Sequence, residues 1–128
     1  MKGTDFHWLV GILEGEGSFG FWRSHGTNKN WRYPRIHLSM TDRDVVLRAA
    51  KLLHVRMEGP FGPNGMESKP LYKVRIGDST AAVWWMKKLY SFMGVRRKKQ
   101  IRDTLKAWKM QCRARAQSLR AWRKHWKK

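Results

Sequence analysis

The segment Leu9-Val10-Gly11-Ile12-Leu13-Glu14-Gly15-Glu16-Gly17 constrains this chain more than any other. Trp8, Leu9, Ile12 and Leu13 sit at helical spacing within residues 6–16, and Gly17 suits a helix stop. Gly11 and Gly15 then lie one turn apart on one face. A glycine inside a helix costs about 1 kcal/mol against alanine, so two of them call for a contact that needs them. Close approach of a second helix is such a contact, because no Cβ holds the two axes apart. Glu14 and Glu16 close the helix where its macrodipole is negative, a placement that costs about 0.3–1 kcal/mol. They are two of only nine acids in a chain of net charge +19. Carboxylates on a protein that binds a polyphosphate repel it unless a divalent cation lies between. That is the arrangement of metal-dependent phosphodiester hydrolysis.

The charge itself points to a polyanionic partner, since an excess this large opposes compactness through self-repulsion. Nucleic acid is the first candidate and an anionic membrane surface the second. Residues 1–95 carry 14 Lys and Arg against eight acids, and residues 96–128 carry 14 against Asp103 alone. A length of 128 residues allows one core, and 41% apolar residues argue against a disordered basic tail. The apolar run at 8–13 is too short to span a membrane or to serve as a signal core. Cys112 is the one cysteine, so no internal disulfide forms and nothing points to secretion. The expected setting is intracellular, with a cytoplasmic, viral or organellar gene.

Past the first helix, residues 18–23 alternate around Phe19 and Phe21, and residues 31–40 around Ile36, Leu38 and Met40. Between them, 24–30 is turn chemistry. Thr41 with Asp44 resembles a capping box, and Val45, Val46, Ala49, Leu52 and Leu53 continue at helical spacing. Residues 57–61 form a short strand, 62–65 a turn, and 71–76 a strand with Tyr72, Val74 and Ile76 inward. Ser79 caps a helix carrying Trp84, Trp85, Leu89 and Phe92, which Gly94 ends. A last helix follows, with Ile101, Leu105, Trp108, Cys112, Ala116, Leu119, Trp122 and Trp126 on one face. The order predicts an α+β fold, αββαββα, with a four-stranded antiparallel sheet, helices on one face and a basic C-terminal helix. Trp22, Arg35, His37, Lys73 and Arg75 fall on the other face. Three strands thus agree on a basic surface able to read a groove.

Leu9 to Gly17, followed by Ser18-Phe19, resembles the signature of the LAGLIDADG homing endonucleases. Leu9, Gly11 and Gly17 agree in type, and acids stand at Glu14 and Glu16 where the family has acids. The resemblance covers roughly residues 6–112 and implies a site-specific DNA endonuclease. It maps the catalytic divalent metal, Mg²⁺ or another such as Mn²⁺, to Glu16 with the adjoining Gly15. It maps the helix–helix seam to Gly11 and Gly15. Only one copy of the motif occurs, and single-motif members work as homodimers. A polar catalytic residue after the second strand falls at Asp42. A basic one near the scissile phosphate falls within Arg96-Arg97-Lys98-Lys99, Arg97 first and Arg96 next.

The expected division is an endonuclease-like domain over 1–112 and a basic helical extension over 113–128. Double-stranded DNA is the expected partner, read by Trp22, Arg23, Arg35, His37, Ser39, Lys73, Arg75, Arg96 and Lys98. No membrane and no small-molecule substrate are expected. The tail from residue 114 is either a phosphate-contacting arm or a helix packed on the body. Two alternatives stay open: a cleavage-inactive DNA-binding protein or intron maturase of this fold, and a basic protein coating nucleic acid. His7, His25, His37, His54 and His125 show no metal-ligand spacing. The glycines at 59–65 lack the Lys-Ser/Thr of a phosphate loop.

Overall fold

A computed structural model describes residues 1–24, 30–62 and 69–126. The expected turns at 24–30 and 62–65 fall mostly outside the described residues, as do Lys127 and Lys128. The elements are α1 (Gly3–Glu16), β1 (Gly17–Arg23), β2 (Arg32–Met40), α2 (Arg43–Leu53), β3 (Glu58–Phe61) and β4 (Leu71–Ile76). They continue with α3 (Ser79–Leu89), a 3-10 turn (Tyr90–Phe92) and α4 (Val95–Trp126). The strands form one antiparallel sheet in the order β1-β2-β4-β3, so the two hairpins meet along β2 and β4.

The alternation along the strands sets the layers. Phe19, Ile36, Leu38, Val74 and Ile76 all point to one face and are buried there. Leu9 and Leu13 of α1, Val46, Ala49 and Leu53 of α2, and Ala82, Trp85, Met86 and Leu89 of α3 close the core over them. Met93 and Ile101 complete it. A one-residue slip in any strand would turn this set out to solvent, so burial of one face fixes the register. The α+β class and the helix-covered sheet expected from the periodicities are what the chain adopts.

Local details differ. The expected capping box at Thr41 does not form. Asp42 holds the N-cap position, with its carbonyl accepting the Val46 N–H at 3.1 Å and its side chain making no capping bond. Asp78, not Ser79, holds the N-cap position of α3, its carbonyl accepting the Ala82 N–H at 2.9 Å and its side chain making no capping bond. Gly94 does not end α3, which stops at Leu89. It opens α4 instead, accepting the Lys98 N–H at 2.9 Å. Gly17 follows α1 in an extended conformation rather than a left-handed one, because it is already the first residue of β1.

The helix α4 is 32 residues long and passes residue 112 without a break. Its inner part lies on β1 and β2. The Gln111 amide clasps the backbone of Arg32, accepting its N–H at 3.1 Å and donating to its carbonyl at 2.6 Å. Trp108 meets Trp31 and Phe21 edge-on, with centroids 5.6 and 6.5 Å away. Arg115 lies 4.9 Å over Trp31. Every described residue from Arg113 to Trp126 is exposed. The apolar stripe that suggested packing therefore runs on past the sheet, and Leu119, Trp122 and Trp126 lie open at 48%, 59% and 69%. No helix of the described residues is long and apolar enough to cross a membrane.

Candidate nucleic-acid interface and acidic centre

Two places carry the chemistry: the outer face of the sheet and the C-terminal end of α1. On the sheet, register makes the face. Gly20 stands opposite Arg35, Ser18 opposite His37, His37 opposite Arg75, and Ser39 opposite Lys73. Gly20 has no side chain, and the Trp22 indole occupies the space. A Cβ added there would lie 3.0 Å from its Nε1. The Arg35 guanidinium stacks 4.7 Å from the centroid of the same indole and is only 8% exposed. Cation–π contacts of this kind contribute ~0.5–2 kcal/mol and fix the direction of a planar fork of donors. Arg75 is oriented from its other side by Glu58, at 2.8 Å from Nε and 2.6 Å from the terminal nitrogen. Lys73 lies 4.9 Å over the Phe61 ring.

His37 sits among these cations. Partial burial, then the charges of Arg35, Lys73 and Arg75, hold its imidazole below the usual 6.5, while Glu58 acts weakly the other way. It is neutral at pH 7 and offers one donor and one acceptor on a face otherwise rich in donors. Arg23, expected among the residues that contact DNA, shares the inward parity of Phe19 and Phe21. It is exposed because β1 has run beyond the core by that point. The face therefore comprises Trp22, Arg35, His37, Ser39, Lys73 and Arg75, without Arg23.

At the other place the two acids part company. The half-buried Glu14 accepts the Gly94 N–H on Oε2 at 3.0 Å, at the start of α4. There the macrodipole of α4 is positive, so this carboxylate is favourably placed. A Cβ at Gly94 would lie 2.7 Å from Glu14 Oε1, so a side chain there would push the carboxylate aside. The Glu14 carbonyl accepts from Arg97 Nε at 3.1 Å, and Arg97 also donates to Gln100 at 3.2 Å. Arg97 is 7% exposed, so its guanidinium braces the end of α1. Arg96 is exposed, and Lys98 is half-buried with its ammonium 5.7 Å over the Tyr90 ring. Glu16, one turn-fraction further along, is exposed, as is Asp42 beyond β2.

Gly11 and Gly15 are exposed on α1, with open space wherever a Cβ would be built. Within one chain they touch no other helix, so the close approach expected from the sequence is not made inside this chain. Among the described residues no three His, Cys, Asp or Glu side chains gather in a way that could hold a metal ion. The role of Glu14 was not foreseen. Its only sequence signal is a glycine 80 residues away, which reads equally well as a helix stop.

No family model matches the chain, and no curated protein does either. Solved structures do share the fold. The group I intron-encoded homing endonuclease I-CeuI, complexed with DNA, superimposes at a TM-score of 0.68 with 14% identity. The match covers 93% of this chain and 60% of that one. The homing endonuclease I-TnaI matches at 0.58 with 16% identity, over 84% of this chain and 74% of its own. I-CvuI, in complex with its target, matches at 0.54 with 16% identity, over 77% and 62%. The fold is that of the LAGLIDADG homing endonucleases. The chain spans about 60% of the length of I-CeuI.

Proposed function

We propose that the chain is a site-specific, metal-dependent DNA endonuclease that works as a homodimer. The observation that carries this is the division between the two acids. Glu14 is consumed in joining α1 to α4, while Glu16 stands exposed at the helix end beside an open glycine face. A free carboxylate on a chain of charge +19 has a purpose if a cation joins it to a phosphate. Oxygen donors suit Mg²⁺ or Mn²⁺, which keep water and take substrate phosphate oxygens as ligands. Glu16 supplies the carboxylate, and Gly15 can offer only its backbone carbonyl. A second copy packed through Gly11 and Gly15 would bring a second Glu16 close to the first. The ion, when bound, would stabilise charge on the scissile phosphate and lower the pKa of water.

The sheet face would enter the major groove of one half-site. Arg35, held by Trp22, and Arg75, held by Glu58, present directed forks to base edges. His37 and Ser39 add neutral donors and acceptors. Arg96 and Lys98 would contact the DNA backbone. Asp42 would orient water, and Arg97, bonded to the Glu14 carbonyl, would brace the metal-bearing helix end. The test is cleavage of DNA containing the gene's uninterrupted insertion site. Glu16→Gln should abolish metal-dependent cleavage and leave gel-shift affinity intact. Full cleavage by this variant would remove Glu16 from the mechanism. A wild-type protein that binds the site and never cuts it would be the binding protein or maturase instead. Gly15→Leu should prevent dimerisation in sedimentation by wedging the helices apart.

A further inference from the structure

Six of the ten exposed cations of α4 share one side of it. Arg102, Lys106, Lys109, Arg113, Arg120 and Lys124 are all exposed and follow one another at three, four or seven residues. At 3.6 residues per turn they fall within a stripe about 60° wide and about 33 Å long. Ile101, Thr104, Trp108 and Gln111, which face the sheet, point about 150° away around the helix. The helix lies on the inner face of β1 and β2, so the ridge looks away from the sheet's outer face. The only acid between residues 96 and 128 is Asp103, which pairs with Lys99 beside the ridge at 2.9 Å. A duplex seated on the outer face is separated from Arg102, Lys106, Lys109 and Arg113 by the sheet and by the helix itself.

We infer that α4 carries a second DNA-binding surface, which takes the phosphate backbone of another duplex segment while the sheet holds the target. The ridge has what backbone binding requires: positive charge at intervals of about 4.5–6 Å, with one gap of about 10 Å, along a straight rod. It lacks what base reading requires, since its side chains are long, mobile and braced by no strand or aromatic partner. A second duplex is the polyanion at hand for a protein already on DNA, and in this the inference rests on the proposed function. The consequence is bridging. One molecule of protein holds two stretches of DNA, one chosen by sequence and the other by charge alone.

The experiment uses the full chain and two duplexes. One carries the insertion site and is fixed to beads; the other is of unrelated sequence, labelled and free. Wild-type protein should retain the labelled duplex on the beads. Arg102→Gln/Lys106→Gln/Lys109→Gln/Arg113→Gln should bind and cut the bead duplex as before, yet retain the labelled duplex at least ten-fold less. Its affinity for random DNA should lose salt dependence, by up to about 3.6 in log–log slope for four phosphate contacts. Circular dichroism of the variant checks that the helix persists. If it does not, Lys106→Gln/Arg113→Gln, with half the change, should give a partial loss of bridging. Bridging equal to wild type by these variants, or no bridging by wild type, overturns the inference. So does preference for a labelled RNA duplex over the DNA one. Failure of the proposed function looks different: the bead duplex would be left uncut by wild type whatever happens to the labelled one.

Discussion

At its start α4 is held on several sides. The Gly94 N–H at its head meets the Glu14 carboxylate, Arg97 is buried against the Glu14 carbonyl, and Ile101 is fully enclosed. Beyond Arg115 the same helix, with much the same mix of Arg, Trp and Leu, is exposed at every described residue. The contrast shows that residue type does not decide what a cation does in this chain. Arg97 and Arg120 are chemically identical. One is a structural brace because a helix end stands opposite it, and the other is surface charge because it lies on the side of α4 turned away from the sheet.

The most damaging way to break this contrast is at the braced end. Arg97→Ala removes a buried donor and leaves the Glu14 carbonyl unpaired, which should cost about 1–3 kcal/mol in denaturant unfolding. The adjacent Arg96→Ala should stay within about 0.5 kcal/mol. Equal losses at 96 and 97 would mean the brace contributes nothing. Glu14→Ala removes the cap of α4, and a loss of about 0.5–2 kcal/mol is expected. At the free end, deleting residues 116–128 should change stability by less than about 0.5 kcal/mol. It should also flatten the salt dependence of DNA binding by about 0.9 in log–log slope per phosphate contact removed. A large fall in melting temperature on that truncation would show that Leu119, Trp122 and Trp126 pack after all.

The smallest effect concerns His37 on the sheet. Its folded pKa lies below 6.5, so the native protein favours the neutral ring. Above pH 6.5 both folded and unfolded states are neutral at this site, and it contributes no pH dependence. As pH falls below 6.5 the unfolded chain takes up the proton first, and stability declines until the folded ring is protonated as well. His37→Gln should remove that part of the acid slope in thermal melts followed from pH 7 downward.

Much of the fold could be read from periodicity, because the sheet buries one face and each strand must alternate to satisfy it. Phe19, Ile36, Leu38, Val74 and Ile76 are inward as their spacing predicts. Arg23 shows the limit: parity says inward, but the core ends before the strand does. The same limit explains the far half of α4, where a helical stripe promised packing and the body supplied no surface. The two acids were visible as an anomaly of charge. Their separation into a cap and a free carboxylate was not, since it depends on Gly94 and Arg97 meeting α1 from the far end of the chain. Gly94 itself reads as a stop or a start, and only the close approach of Glu14 decides between them.

The two hydrogen bonds that steady the end of α1 span 80 and 83 residues of sequence. Contacts of such separation form only after the intervening chain has been brought together, and their closure is entropically slow. On a ribosome, α1 is made before α4, and Glu16 with it. Yet any nascent chain that stops short of Arg97 leaves Glu14 without one or both partners, and the acidic end of α1 stays unsteadied. The acidic end of α1 thus waits for the start of α4 to be made.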